Sequence, residues 1–169
     1  MRDDIPNDVE SIQNNPIVIL DIDGVLMAPE YIRTPKPSTI VALNRILQTT
    51  KAKIVISSSW KICEFMHDPI LAELYLNSWG IIDPQVIGFT FGVSYSDEFR
   101  NGREREIDEW VKLFKPKNWC AIDDSVSECY RMVRTIHVEG LTENDADRVI
   151  NWLMPIEVSN NWRNNYGYT

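Results

Sequence analysis

Three short apolar runs, each ending abruptly on an acid or a hydroxyl, constrain the fold of this 169-residue chain more than any other feature. Residues 16–20 (Pro-Ile-Val-Ile-Leu) end at Asp21, residues 53–56 (Lys-Ile-Val-Ile) at Ser57, and residues 119–122 (Trp-Cys-Ala-Ile) at Asp123-Asp124. Runs this continuous, without polar alternation, suit strands buried on both faces, as in parallel sheets. Residues 86–91 and 135–138 are two further strand candidates. Helical patterns lie between them. Ser38 is a candidate cap for a face of Ile40, Leu43, Ile46 and Leu47, and Asp68-Pro69 opens an apolar stretch that stops at Gly80. Ile107, Trp110, Val111 and Phe114 follow helical spacing, as do Ala146, Val149, Ile150 and Leu153 behind Thr142. Strands alternating with helices require crossover connections, so the expected class is α/β, doubly wound, a mostly parallel sheet with helices on both faces.

The length fits a single core, placed at residues 15–158, between a polar N-terminal segment (1–14) and a polar, aromatic tail (159–169). Trp162, Tyr166 and Tyr168 in that tail read as packing anchors or solvent-facing groups. No stretch approaches the ~18 apolar residues of a membrane span, and the acidic N-terminus has no apolar leader, so the expected address is the cytoplasm. Cys63, Cys120 and Cys129 have no C-x-x-C spacing and read as buried small hydrophobes in a reducing compartment. His67 and His137 pair with no cysteine at zinc-like spacing, and each reads as a core or surface residue. The net charge of −8 argues against a grip on extended nucleic acid and favours a small or short phosphorylated substrate.

Ligands of an open parallel sheet bind beyond the carboxyl ends of its strands. The fold would therefore collect Asp21, Asp23, Ser57, Asp123 and Asp124 at one rim. Phosphoryl transfer needs a nucleophile, a proton donor for the leaving oxygen, and cations that offset phosphoryl charge. Asp21 can attack phosphorus and form an aspartyl-phosphate. Asp23, from the same loop, can protonate the leaving alcohol and then activate water, and Gly24 permits the turn. Several carboxylates at one rim would repel each other and an incoming phosphate without a hard cation, for which Mg²⁺ is the natural occupant. Taken singly, each feature has a plainer reading. Asp-x-Asp is commonly a solvated loop, Ser57 can satisfy a strand end, and Arg103 can belong to a solvated helix face with Glu104, Arg105 and Glu106.

The order of these features resembles the haloacid dehalogenase (HAD) superfamily of phosphatases. The likeness rests on Asp21-Ile-Asp23-Gly24-Val25, Ile54-Val-Ile-Ser57, Arg103 at the opening of the helix containing Ile107, and Ala121-Ile-Asp123-Asp124-Ser125. It implies a Rossmann-like sheet, Asp21 as nucleophile, and Asp23 as general acid/base that also lends its backbone carbonyl to Mg²⁺. It further implies Ser57 as a hydrogen-bond donor to the transferring group and Asp124 as a metal ligand, with Asp123 one step removed from the ion. Arg103 stands where the family more often has lysine, and a guanidinium forks differently from an ammonium. Arg100, Arg105 and Lys61 therefore compete for the cationic role. More narrowly, Ser57-Ser-Ser-Trp60-Lys61 and Ile122-Asp-Asp resemble the HAD domains of Swiss-Army-Knife RNA repair proteins and polynucleotide 3′-phosphatases. That implies removal of phosphate from a nucleic-acid end or a nucleotide.

Residues 25–37 leave room for a short flap, and residues 60–85 for a helical segment, in place of a cap domain. The aromatic residues Trp60, Phe65, Tyr95 and Phe99 fit either base stacking or core packing. A dehalogenase has no need of Asp23, and a response-regulator receiver would place its acidic pair early. The alternative from another class is a catalytically silent HAD-like module that binds phosphate or nucleotide.

Overall fold

The computed structural model describes residues 9–31, 34–62, 66–91, 102–126 and 131–154. Arg100, Phe65, Tyr95, Phe99, Cys63, Cys129 and the aromatic tail lie outside the described residues. The strands are β1 (Ile17–Leu20), β2 (Lys53–Ile56), β3 (Val86–Phe89), β4 (Trp119–Asp123) and β5 (Met132–Arg134). They form one all-parallel sheet in the order β3-β2-β1-β4-β5. The helices are α1 (Val9–Asn14), α2 (Pro37–Thr50), α3 (Pro69–Ser78), α4 (Gly102–Phe114) and α5 (Glu143–Leu153), with a 3₁₀ turn at Ser59–Ile62. This is the doubly wound α/β architecture expected from the runs. Among the described residues no helix is long and apolar enough to cross a membrane.

Strand residues alternate between two cores because successive side chains leave opposite faces of a pleated sheet. Val18, Leu20, Ile54, Ile56, Cys120 and Ile122 pack with residues of α2, α3 and α5. Ile17, Ile19, Val55 and Ala121 pack on the other side with Ile12 of α1 and with Ile107, Trp110 and Phe114 of α4. Cys120 is a fully buried thiol, as its apolar setting suggested.

Some local expectations are corrected. The last strand is Met132–Arg134 rather than 135–138, because β4 offers partners only as far as Asp123. The apolar residues beyond it, Ile136 and Val138, are exposed in a turn closed by the Gly140 N–H to the Ile136 carbonyl at 2.8 Å. Lys36 occupies the N-cap position of α2 without a side-chain cap and Pro37 opens its first turn, so Ser38 falls inside the helix rather than at its cap. Residues 9–14, which carry no readable periodicity, form α1. A six-residue helix shows the core a single position, Ile12, too little to register as a pattern. The Asp68 and Thr142 caps are present, the latter as a capping box with Asp145.

Candidate active site

Register brings the chemistry to one rim. Leu20 stands opposite Ile56 in β2 and opposite Ile122 in β4. The next residue of each segment, Asp21, Ser57 and Asp123, therefore falls in one row just past the apolar sheet. The Asp21 N–H donates to the Ile122 carbonyl at 3.0 Å, and the Ser57 N–H donates to the Leu20 carbonyl at 2.8 Å. All three share the parity of Ile19, Val55 and Ala121, so they face α4. Arg103 lies four residues before Ile107 and seven before Trp110, on the same stripe of α4 but one turn beyond the sheet. The apolar packing of that helix thus delivers the guanidinium over the carboxylates.

The Arg103 Nε lies 3.2 Å from Asp123 Oδ2, its Nη2 3.9 Å from Asp21 Oδ1, and its Nη1 3.5 Å from the Ser57 hydroxyl. Nη1 also donates to Glu106 Oε2 at 3.0 Å. Lys61 is the second cation here. Its ammonium donates to the same Glu106 oxygen at 2.8 Å and to the Thr90 hydroxyl at 3.3 Å. Burial pulls the Lys61 ammonium below its ordinary pKa, with Glu106 opposing. Arg105 points elsewhere and pairs with Glu109 on the exposed side of α4.

Asp21, Asp123 and Asp124 offer oxygens that all lie within 4.8 Å of one another. Burial, then the neighbouring Asp123 charge, pushes the Asp21 carboxyl up to about 7, although Arg103 and hydrogen bonds from the Ile22 backbone and Ser58 lower it. Burial likewise raises Asp123, opposed by the hydrogen bonds of Ser125 and by Arg103. Its Oδ1 accepts from the Ser125 N–H and hydroxyl, while its buried Oδ2 meets the Arg103 Nε at 3.2 Å without hydrogen-bond geometry. Three carboxylates with oxygens this close, two of them charged only at a cost, fit a hard divalent cation.

A model of the HAD domain in Swiss Army Knife RNA repair proteins matches residues 17–146, from β1 into α5. The chain belongs to this family. No curated protein and no solved structure gives a match. In this HAD domain the aspartate cluster at the strand ends, with Asp21 and Asp123 buried and Asp124 partly so, is consistent with a HAD active site.

Asp23 is exposed, and its Oδ2 accepts a 2.9 Å hydrogen bond from the Trp60 indole. It borders a cleft of about 450 Å³ also lined by Met27, Pro29, Tyr31, Trp60 and His137. The loop carrying Asp23 is tied down at several points. The Ile22 carbonyl accepts from Leu26 and Met27 at 2.9 and 3.0 Å, and the Gly24 carbonyl accepts from the Thr135 hydroxyl at 2.7 Å. Gly24 has φ +72°, and a Cβ there would stand 2.6 Å from His137 Nδ1 and closer still to the Asp124 carboxylate. Gly24→Ala is therefore expected to cost about 1–3 kcal/mol, read by urea denaturation, from backbone strain alone. Displacement of Asp124 should also weaken divalent-cation binding.

Three residues at the rim carry no functional signal of their own in a motif: His137, Glu106 and Thr90. His137 Nδ1 lies 2.5 Å from Asp124 Oδ2. Glu106 carried a usable signal, since its spacing from Arg103 and Trp110 puts it on the buried edge of α4 rather than the solvated face. His137 carried none, because only the turn after β5 brings it back to the rim.

Proposed function

We propose that this HAD domain is a Mg²⁺-dependent phosphomonoesterase that works through an aspartyl-phosphate at Asp21. The observation that carries this reading is the Asp21–Asp123–Asp124 oxygen cluster, with Asp21 and Asp123 buried, and with Arg103 and Ser57 beside it. Asp21, Asp124 and the Asp23 backbone carbonyl would hold the cation, with Asp123 beside them, and a bound cation supplies charge neutralisation at the phosphoryl oxygens.

An Asp21 oxygen attacks phosphorus, and the bond to the leaving oxygen breaks with its electron pair going to that oxygen. Asp23 gives this oxygen a proton. Asp23 then takes a proton from water as the water oxygen attacks the aspartyl-phosphate, releasing phosphate and restoring the Asp21 carboxylate. Ser57 donates to the transferring group, and Arg103 pairs with its oxygens. Glu106 holds both Arg103 and Lys61, so two cations stand at the phosphate side of the site.

The substrate we propose is a phosphorylated nucleic-acid end, a 3′-phosphate in particular, or a nucleotide. The RNA-repair setting of the family supports it, as does a cleft beside Asp23 walled by Trp60 and Tyr31. The domain, with α1 docked on it through Ile12, would act as one catalytic unit, open enough for one end of a polymer. A phosphate-release screen should rank 3′-phosphorylated oligonucleotides above 5′-phosphorylated ones and above mononucleotides, by roughly tenfold or more in kcat/KM if the cleft binds the end nucleoside. Preference for mononucleotides would overturn the polymer-end reading. No turnover of any phosphomonoester, including an activated aryl phosphate, would favour the silent binding module.

A further inference from the structure

The Asp23 carboxylate is held by a device that the phosphoryl chemistry alone does not call for. Trp60 lies in the 3₁₀ turn that follows Ser57 and donates its indole N–H to Asp23 Oδ2 at 2.9 Å. Two rings from the α3 region buttress that indole. Trp79 meets it edge-on at 5.7 Å between centroids and 77° between planes, and Tyr75 lies tilted at 6.2 Å and 45°. Tyr75 and Trp79 also contact each other at 4.8 Å. Such mutual edge contacts fix the plane of a ring as well as its position. The indole edge is thus set by the core side of the molecule and presented to an otherwise exposed carboxylate.

An indole N–H is a donor only. It cannot accept a proton from a carboxylic acid, so an Asp23 that keeps this bond carries its acidic proton on Oδ1. Without the bond, an exposed carboxyl turns freely about its broad, two-fold terminal torsion and presents either oxygen. We propose that Trp60 is a positioning residue for the phosphatase reaction. It occupies Oδ2 and so makes Oδ1 the atom that hands a proton to the leaving oxygen and later receives one from water. This inference rests on the reading of Asp23 as general acid/base. Small misplacements of a proton donor commonly cost on the order of 10–100-fold in rate.

The test uses Trp60→Phe, which keeps an aromatic ring against Tyr75 and Trp79 and removes the donor. With the Mg²⁺-loaded protein, kcat/KM is measured for an alkyl phosphate, whose leaving oxygen must be protonated, and for 4-nitrophenyl phosphate, whose leaving oxygen departs with little help. Since kcat/KM reports only the steps up to release of the alcohol or phenol, the second half-reaction does not blur the comparison. The aryl-to-alkyl ratio is expected to rise at least tenfold in Trp60→Phe. An equal loss on both substrates, leaving the ratio at the wild-type value, would mean that Trp60 merely packs and would overturn the proposal. Asp23→Asn separates the two ideas. If it shifts the ratio while Trp60→Phe does not, only the role of Trp60 fails. If it leaves alkyl-phosphate hydrolysis intact, the reading of Asp23 itself fails. A readout independent of turnover is the ¹H–¹⁵N resonance of the Trp60 indole, assigned through bonds. It should move upfield in Asp23→Ala as the hydrogen bond is lost, and an unmoved resonance would count against the proposal.

Discussion

Asp21→Asn is expected to lower phosphatase turnover by about 10⁴-fold or more, the scale seen when a covalent nucleophile is removed, while leaving the protein folded. The amide keeps the volume of the carboxylate and can still accept from the Ile22 N–H and the Ser58 hydroxyl that face Asp21. It cannot attack phosphorus. Near-wild-type phosphate release by this variant would sink the nucleophile assignment.

The same substitution has a stability signature with a definite pH dependence. In the cation-free protein the Asp21 carboxyl titrates at about 7, raised from 3.8 first by burial and then by Asp123. Below about pH 4 both folded and unfolded chains hold this proton, and the folded state carries no penalty. Between about 4 and 7 the unfolded chain has released the proton while the folded chain keeps it, so stability falls as pH rises. Above 7 the loss is complete. At roughly 1.4 kcal/mol per pKa unit the upper limit is about 4 kcal/mol. Asp21→Asn has no charge to bury and should therefore be more stable than wild type at pH 8 in EDTA. The gap should close near pH 4. Urea denaturation at the two pH values reads it, and equal stabilities at both would show that burial of Asp21 carries no charge penalty.

Removal of divalent cations is expected to stop the reaction, with Mg²⁺ restoring it. Three carboxylates with oxygens within 4.8 Å of one another cannot easily share a site with a phosphate dianion otherwise. Mg²⁺ should also raise the melting temperature by mass action, since a ligand at 100 times its Kd adds about 2.7 kcal/mol. Asp124→Asn should weaken that shift as well as the activity, which separates cation binding from chemistry. Undiminished phosphate release in a metal-free sample would remove Asp124 from the role of ligand.

Much of this site could be read in the chain because its parts are local. Asp21, Ser57 and Asp123-Asp124 stand directly after buried runs, and a parallel sheet carries strand ends to one rim whatever the details of packing. Arg103 is singled out by the family resemblance, and its position one turn before Ile107 on α4 brings it to the rim. The partnerships were not legible. Trp60 reaches Asp23 across 37 positions, and Lys61 reaches Glu106 across 45. A spacing rule spans a turn or a helix face and does not extend to such separations.

By itself, then, the sequence determined the order of elements, the parallel sheet and the carboxylates at its rim. Buried strands need continuous apolar runs, and their ends can be polar only where the sheet stops. Tertiary structure alone decided where β5 ends, how α1 docks through Ile12, and which side chains hold one another: His137 with Asp124, Glu106 between two cations, Trp60 on Asp23. These depend on register, helix placement and ring packing between distant segments. Each is set by the sum of many weak contacts across the whole core, and no local pattern of residues encodes that sum.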